Sequence, residues 1–177
     1  MKSKLFGIIA GKLWFSTHLV CFIMLCVILA VHATSWASVT PQIACGSEHS
    51  LALKSDGTVW AWGYNEDGQL GDGTYTDKYT TVPVQVSGLS GVTAIACGWY
   101  HSIAMKSDGT VWTWGRNGEN QLGDGTYMNR TTPVQVNDLS GVTAIAGGRY
   151  HTLALKSDGT VWAWGLNNSG QLGDNTN

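Results

Sequence analysis

A repeat of about fifty residues is the feature of this sequence that most limits its fold. The segment HSLALKSDGTVWAWG starts at His49 and returns with few changes at His101 and His151, so the spacings are 52 and 50 residues. The tetrad QLGD starts at Gln69 and recurs at the same two spacings. A repeat of this length predicts a structure assembled from similar units, each of which packs against its neighbours.

Each unit of the repeat is predicted to form four short β-strands. In the second unit, alternation and the positions of Gly and Pro place the strands at residues 92–98, 101–106, 110–115 and 132–136. The sequence SDG joins the middle two strands in a short turn, in which Gly109 is free to take a positive φ. Pro133 favours an edge position for the last strand, because proline donates no ladder hydrogen bond. Four antiparallel strands per unit predict one blade of a β-propeller.

Paired tryptophans recur in every unit as a Trp-x-Trp pattern. In a strand, the two rings of each pair fall on the same face, and we expect them to pack between blades, where large aromatic side chains bury much area. These structural candidates are Trp60, Trp62, Trp112, Trp114, Trp162 and Trp164. Charged residues make up only 12% of the chain, and it contains 23 glycines. This composition fits an all-β repeat protein and excludes a disordered chain.

The repeat resembles that of the RCC1 family, the regulator of chromosome condensation. The resemblance rests on Gly-x-x-His, Trp-Gly and Asn-x-x-Gly-Gln-Leu-Gly, and it divides residues 38–177 into units 43–94, 95–144 and an incomplete 145–177. Asn120 replaces the glycine of Asn-x-x-Gly in the second unit, and we expect it to keep a left-handed backbone there. The family implies a seven-bladed ring, so this chain would form a partial β-propeller of about two and a half four-stranded blades. Closing the ring requires either further blades of a longer protein, of which this chain is a fragment, or other chains.

The N-terminal residues 1–37 are predicted to be a secretory signal peptide. Three lysines precede residue 13, an uninterrupted apolar run covers 19–31, and small residues follow up to Ala37. The alternative is a membrane anchor over residues 13–31, which is just long enough to span a bilayer. In both cases the N-terminal segment is a hydrophobic helix, it is the chain's only expected contact with a membrane, and the repeats are exported to the cell envelope or secreted.

The histidines and aspartates of the repeat are predicted to be structural rather than catalytic. A catalytic base needs a nucleophile and an orienting acid in one pocket, whereas Ser102 follows His101 in a strand, so the two side chains point to opposite faces. We expect the histidines to hydrogen bond to loop backbone in every blade, and the Asp-Gly pairs to form hairpin turns. The residues concerned are His49, His101, His151, Asp56, Asp108 and Asp158.

The sequence gives no support for a cofactor, a metal or nucleic acid as a ligand. The DGQLGDGT segment departs from the calcium-loop spacing, and no Cys/His cluster has zinc spacing. From Ser38 onward, seven Lys/Arg stand against twelve Asp/Glu, which disfavours a phosphate-binding surface. Cys45 and Cys97 occupy the same position in successive units, where the third unit has Gly147, and we expect buried small residues rather than a disulfide.

Function in a repeat protein is expected where the repeats differ. The residue pairs before the constant histidine vary, as do the residue after Trp-Gly and the loop that carries Tyr75, Tyr79, Tyr127 and Met128. Tyr, Trp and Arg are the residue types that anchor protein interfaces. The protein-binding candidates are Trp99, Tyr100, Arg149, Tyr150, Tyr64 and Arg116. The sequence therefore predicts an exported, non-catalytic binding or scaffold module for an unidentified protein partner. The alternatives implied by the resemblance are guanine-nucleotide exchange on a small GTPase and secreted enzyme inhibition.

Overall fold

The computed structural model describes residues 38–176, which fold as three antiparallel β-sheets. The first sheet, blade 1, contains β1 (Gln42–Cys45), β2 (His49–Leu53), β3 (Val59–Asn65) and β4 (Thr76–Gln85). Blade 2 contains β5 (Val92–Cys97), β6 (His101–Lys106), β7 (Val111–Gly115) and β8 (Arg130–Gln135). Blade 3 contains β9 (Val142–Gly147), β10 (His151–Lys156) and β11 (Val161–Gly165). These residues contain no helix, which confirms the all-β prediction and the incomplete third blade. The predicted N-terminal helix in residues 1–37 lies outside the described residues.

Strand order within each sheet follows the chain, as expected for propeller blades. The first strands β1, β5 and β9 lie against one another and form the inner layer, whereas β4 and β8 are the outer edges of their sheets. Pro133 therefore lies in an edge strand, as predicted, where its missing N–H costs no ladder hydrogen bond.

The hairpins between the second and third strands of each blade are the turns that the sequence predicts. Gly109 takes a φ of 76° in the SDG turn between β6 and β7. Asn120 has a φ of 56°, close to the 69° of the equivalent Gly170, so the expected left-handed backbone at Asn120 is confirmed. Asparagine tolerates this region better than most residues, and Asn120 does so although its Oδ1 has no hydrogen-bond partner among the described residues.

The blades pack through two unlike faces. The face that blade 1 turns to blade 2 carries mainly branched aliphatic side chains, and the opposing face of blade 2 contributes two branched aliphatic side chains, one alanine and one large ring. This core consists of Leu51, Leu53, Val59, Ala61, Leu70 and Val86 from blade 1 with Val92, Ile95, Ala104 and Trp114 from blade 2. The interface between blades 2 and 3 repeats the arrangement with Ile103, Val111, Val136, Leu139, Val142 and Ala154. Apolar residues on both faces of a strand are thus explained by burial against two different neighbours.

Candidate protein-binding surface

The six binding candidates lie at the same end of the strands in all three sheets. Two connections of each blade meet at this end. One is the turn between the first and second strands, and the other follows the third strand. A backbone hydrogen bond joins them: the amide of Arg116 donates to the carbonyl of Tyr100 at 2.9 Å, and the amide of Tyr64 donates in the same way to Glu48. The residue after Trp-Gly is therefore held beside the residue before the constant histidine in each blade.

Gly115 makes this close approach feasible. Its φ is 100°, and a Cβ at this position would lie 2.6 Å from the carbonyl oxygen of Tyr100. Other residues rarely adopt such a φ, and the distance is shorter than van der Waals contact. The glycine of Trp-Gly therefore allows the two connections to come into contact.

Five aromatic side chains form a continuous cluster across the three blades, here named the aromatic surface. Its members are Tyr64, Tyr79, Trp99, Tyr100 and Tyr150. Ring centroids are 5.7 Å apart for Tyr64–Tyr79, 6.2 Å for Tyr64–Tyr100 and 6.4 Å for Tyr100–Tyr150. Trp99 lies 6.3 Å from Tyr100 and 6.5 Å from Tyr150. These separations fall in the range in which aromatic rings attract one another.

Two guanidinium groups stack on the aromatic surface. The guanidinium carbon of Arg149 lies 4.0 Å from the ring centroid of Trp99 and 5.0 Å from that of Tyr150. Arg116 lies 5.3 Å from the centroid of Tyr150, so this ring has a cation near it from two residues. Cations near a ring face are attracted by its quadrupole. The structure thus brings together all six candidates that the sequence names separately.

The aromatic surface is accessible to solvent. Trp99 is 42% exposed and Tyr79 is 63% exposed, whereas Tyr64, Tyr100 and Tyr150 are half-buried. The sequence indicates only that Tyr79 belongs to a variable loop. The pairing of β4 with β3 brings it to the aromatic surface. The exposed residues Tyr127 and Met128 of the second blade's loop show no ring contact with this cluster among the described residues. An exposed aromatic cluster of this kind is typical of an interaction site.

The blade 1 end of the surface is acidic. The hydroxyl of Tyr79 donates to Glu48 Oε2 at 2.9 Å, and this hydrogen bond is the main reason why the pKa of Tyr79 is raised. The pKa of Tyr64 is also raised, chiefly by its hydrogen bond to Glu66. Burial raises the pKa of the nearby Asp67, which accepts a 2.7 Å hydrogen bond from Asn129. The surface therefore runs from an acidic end on blade 1 to a basic end at Arg116 and Arg149.

The constant histidines pair with hydroxyl groups of the following blade. His49 Nε2 lies 2.9 Å from Ser102 Oγ, and His101 Nε2 lies 3.0 Å from Thr152 Oγ1. The two hydroxyls in turn donate to the carbonyl oxygens of Gln69 and Gln121, each at 2.8 Å. The prediction that these histidines bond directly to loop backbone therefore differs from the structure by one intervening hydroxyl. Sequence reasoning considered only the adjacent serine, which does point to the opposite face.

This histidine–hydroxyl pair is arranged for structure rather than for nucleophilic catalysis. Because Ser102 donates its proton to Gln69, it accepts one from His49, so the ring nitrogen beside the hydroxyl carries the hydrogen. A general base needs a free lone pair at that position. Burial lowers the pKa of His49 to about 4. His151 lies half-buried in blade 3.

The aspartates of the SDG turns bond to the threonine two residues on. Asp108 Oδ1 accepts hydrogen bonds from the amide of Thr110 at 3.0 Å and from its hydroxyl at 2.6 Å, and Asp56 and Asp158 repeat this geometry. The threonine hydroxyl is the main reason why the pKa of each carboxyl is lowered. These turns lie at the end of the strands that is opposite the aromatic surface.

The two tryptophans of each pair take different positions. Trp114 is fully buried between blades, where its indole N–H donates to the carbonyl of Gln69. The indole N–H of Trp164 in blade 3 donates in the same way to the carbonyl of Gln121. Trp112 instead packs within its own blade, where Lys106 Nζ lies 5.3 Å from its ring centroid. The equivalent rings Trp60 and Trp162 carry Lys54 and Lys156. Trp62 is half-buried on the face of blade 1 that points away from blade 2.

The remaining reactive groups of residues 38–176 are the potential metal ligands and the two thiols. No group of three or more His, Cys, Asp or Glu side chains is placed there to hold a metal ion. Cys45 and Cys97 are both free thiols, and burial raises the pKa of Cys97 to about 12. Cys45 is exposed, in contrast to the expectation that it is buried. Among the described residues, blade 1 has a neighbouring blade on one face only. A search of the described residues for membrane-spanning helices finds none of sufficient length and apolar character.

Comparison with known proteins gives a consistent result. The family model for the RCC1-like domain matches residues 27–177. The Ultraviolet-B receptor UVR8 of Arabidopsis thaliana is 39% identical over 75 residues, which cover 42% of this chain and 17% of the receptor.

Two solved structures resemble the fold. Human WBSCR16 superimposes with a TM-score of 0.69 at 30% identity, over 77% of this chain and 36% of that protein. Prp20p of Saccharomyces cerevisiae gives a TM-score of 0.70 at 24% identity, over 77% of this chain and 35% of Prp20p, a protein studied for its binding to Gsp1p and histones. The matched region thus spans about a third of each solved relative.

Proposed function

The chain belongs to the RCC1-like domain family, and from that premise we propose that it is a non-catalytic module whose aromatic surface binds a protein partner. One observation carries the proposal: five aromatic rings and two arginines, contributed by all three blades, form one accessible cluster. Tyr, Trp and Arg dominate the binding energy of protein interfaces.

The distribution of constant and variable residues supports this proposal. The residues that join blade 1 to blade 2 and blade 2 to blade 3 occupy equivalent positions and are buried, namely His49 and His101, Ser102 and Thr152, and Gln69 and Gln121. The residues of the aromatic surface instead differ from blade to blade: the pair before the histidine is Trp99-Tyr100 in blade 2 and Arg149-Tyr150 in blade 3. A surface that varies on a repeated frame suits recognition of one asymmetric partner, because each blade then presents different chemistry.

The family relationship is compatible with protein binding. Prp20p binds Gsp1p and histones, and this chain shares its fold. Guanine-nucleotide exchange and enzyme inhibition, the two alternatives implied by the sequence resemblance, are both special cases of binding to a partner protein. No contact in the described residues favours either one.

Photo-crosslinking of the intact protein tests this proposal. The change is replacement of Tyr100 by the photoreactive p-benzoylphenylalanine, and the expected result is one crosslinked partner band that Trp99→Ala abolishes. The matched control places the same group at Trp112, which lies near the opposite edge of the same sheet. Equal crosslinking from both positions, or a band that is insensitive to Trp99→Ala, would contradict a role for the aromatic surface.

We further propose that residues 1–37 direct the repeats out of the cytoplasm. The support is the sequence pattern alone, namely early lysines, an apolar run over 19–31 and small residues that follow it. The test is a fusion of residues 1–37 to a reporter enzyme that is active only after export. A cleaved signal gives a soluble mature reporter that starts after Ala33 or Ala37, an anchor over 13–31 gives an uncleaved membrane-bound reporter, and a cytoplasmic reporter contradicts export.

A further inference from the structure

The basic end of the aromatic surface carries two guanidinium groups that pair with no carboxylate of the repeats among the described residues. Arg116 and Arg149 make no ion pair within 4.0 Å among the described residues, in contrast to Arg130, which contacts Asp124 at 2.7 Å. Lys54 and Lys156 also lie within 4.0 Å of an aspartate. Two guanidinium groups without carboxylate partners are unusual in a region with seven basic and twelve acidic residues.

The two arginines differ in exposure, since Arg149 is exposed and Arg116 is half-buried. The guanidinium carbons of the two arginines lie over the rings of Trp99 and Tyr150, at 4.0 to 5.3 Å from the ring centroids. Arginine stacks through its planar face and donates hydrogen bonds through its rim, so stacking and carboxylate binding are compatible. Stacking also restricts these long side chains in advance, which lowers the entropy cost of binding.

Arg116 carries a donor that the protein leaves unused. Its Nε is buried and has no hydrogen-bond partner among the described residues. The nearest acidic influence is Asp67, whose charge interacts with Arg116 but whose carboxylate already accepts a hydrogen bond from Asn129. A buried donor without an acceptor is costly, so Arg116 keeps an unmet hydrogen-bonding capacity beside the exposed Arg149.

A cavity adjoins the same residues. It has a volume of about 250 Å³, and Trp99, Arg149, Gly98, Gly147 and Gly148 contribute to its lining. The volume lies beside these glycines and not in the place of their missing side chains, because a Cβ at Gly98 or Gly148 would meet the ring of the histidine three residues on. The cavity therefore offers space next to a stacked guanidinium for a side chain of a bound partner.

We propose that the partner presents an acidic peptide segment to this surface, with carboxylates on Arg116 and Arg149 and apolar or aromatic groups on Trp99, Tyr100 and Tyr150. This inference rests on the proposed protein-binding function and adds the chemical class of the partner. Bidentate arginine–carboxylate pairs supply direction, whereas the rings supply contact area. The acidic blade 1 end, with Glu48 and Glu66, repels the same segment and so fixes its orientation along the surface.

The experiment measures binding of three synthetic peptides to the intact protein by fluorescence anisotropy. The peptides have the same length and the same tyrosines. The residues between the tyrosines are Glu in the first peptide, Gln in the second and Lys in the third. We expect the Glu–Tyr peptide to bind at least about tenfold more tightly than the Gln–Tyr peptide, and added salt to reduce this difference. The double variant Arg116→Gln, Arg149→Gln should remove the preference, whereas Arg149→Lys should retain part of it because the charge remains.

Lys106→Gln is the matched control, because it removes a cation that stacks on Trp112 at the other edge of the sheet; it should leave the preference intact. An unfolding transition identical to that of the unmodified protein shows that each variant is folded. The inference is overturned if the preference for Glu survives in the double arginine variant. It is also overturned if a single-stranded oligothymidine binds more tightly than the Glu–Tyr peptide, or if sedimentation shows that a second copy of this chain occupies the surface.

Failure of the inference can be separated from failure of the proposed function. If the Glu–Tyr and Gln–Tyr peptides bind equally and Trp99→Ala abolishes both, the aromatic surface binds peptides but the acidic preference is wrong. If no peptide binds while the crosslink from position 100 persists, the acidic preference is again wrong and protein binding stands. Loss of the crosslink specificity itself overturns the proposed function.

Discussion

The indole Nε1 of Trp114 in blade 2 donates a 2.9 Å hydrogen bond to the backbone carbonyl of Gln69 in blade 1. The same carbonyl accepts the hydroxyl of Ser102, which is bonded to His49 of blade 1. One buried oxygen therefore joins two blades through two side chains. Trp164, Thr152, Gln121 and His101 repeat the arrangement between blades 2 and 3. Four predictions concern this junction and the frame of the aromatic surface, and a fifth concerns that surface itself.

Trp114→Phe should destabilise the fold. Trp114 is fully buried, so the substitution removes the hydrogen bond to Gln69 and leaves a small cavity. Loss of a buried hydrogen bond alone costs about 1–3 kcal/mol. The free energy of unfolding in urea is the measurement, and Trp112→Phe, which alters a half-buried ring outside the junction, is the control. An equal effect of both substitutions would show that the interblade bond contributes nothing specific.

Ser102 should accept threonine but not alanine. The equivalent residue in blade 3 is Thr152, which makes the same two hydrogen bonds. Ser102→Ala leaves both His49 and the Gln69 carbonyl without this partner, at a cost of about 1–3 kcal/mol. Ser102→Thr should cost less than Ser102→Ala, because the hydroxyl remains and the equivalent buried position of blade 3 already holds a threonine. Thermal unfolding of the two variants side by side decides the point, and comparable losses in both would argue that packing, not the hydroxyl, matters at this position.

The stability of the fold should fall as the pH drops from 6.5 to 4. Burial lowers the pKa of His49 to about 4 and that of His101 to about 3. Because the unfolded chain binds protons from about pH 6.5 downward while the folded histidines do not, acid favours unfolding in this window. The expected loss is on the order of 3 kcal/mol per histidine at pH 4, since one pKa unit corresponds to about 1.4 kcal/mol.

The lowered carboxyl pKa values of the SDG turns act only below this window, because aspartate titrates near pH 4 when unfolded. The raised pKa of Asp67 acts with the opposite sign within this window, because the folded carboxyl takes up a proton before the unfolded one does. The contribution of a histidine is therefore measured as the difference in urea unfolding between the unmodified protein and a histidine variant from pH 7 to pH 4. His101→Gln should give a shallower pH dependence than the unmodified protein. A slope that does not change with this substitution would mean that other groups control the acid sensitivity.

Gly115→Ala should destabilise the frame of the aromatic surface. The residue has a φ of 100°, and an added Cβ would lie 2.6 Å from the Tyr100 carbonyl oxygen. A strained backbone position of this kind costs on the order of 1–3 kcal/mol. Gly118→Ala is the matched control, since no atom lies within 4 Å of the Cβ position there and its φ is not positive. Thermal unfolding of both variants is the readout, and equal midpoints would refute the assigned role of Gly115.

Trp99→Ala should separate binding from stability. Trp99 is 42% exposed, and surface substitutions usually change stability by less than about 0.5 kcal/mol. The unfolding free energy should therefore change little, while the crosslink from position 100 should disappear. A large loss of stability would instead identify Trp99 as part of the frame.

The blade follows from local features of the sequence. Alternation, the SDG turn and the edge proline are local features, and local backbone preferences are sufficient to place strands such as β6 and β7 and the turn at Gly109. Even the left-handed backbone of Asn120 could be predicted, because it depends on one residue and its equivalents in the repeat. Variation between repeats also identified the residues that compose most of the aromatic surface.

The contacts between blades, by contrast, could not be predicted from the sequence. The partner of His49 is Ser102, more than fifty positions away, and nothing in a single blade indicates it. Trp112 and Trp114 look equivalent in the sequence, yet one packs under Lys106 and the other is buried against Gln69. The rotation of one sheet against the next sets these contacts and brings Tyr64, Tyr100 and Tyr150 into one cluster. Such contacts depend on the mutual placement of whole sheets, which no short sequence pattern encodes.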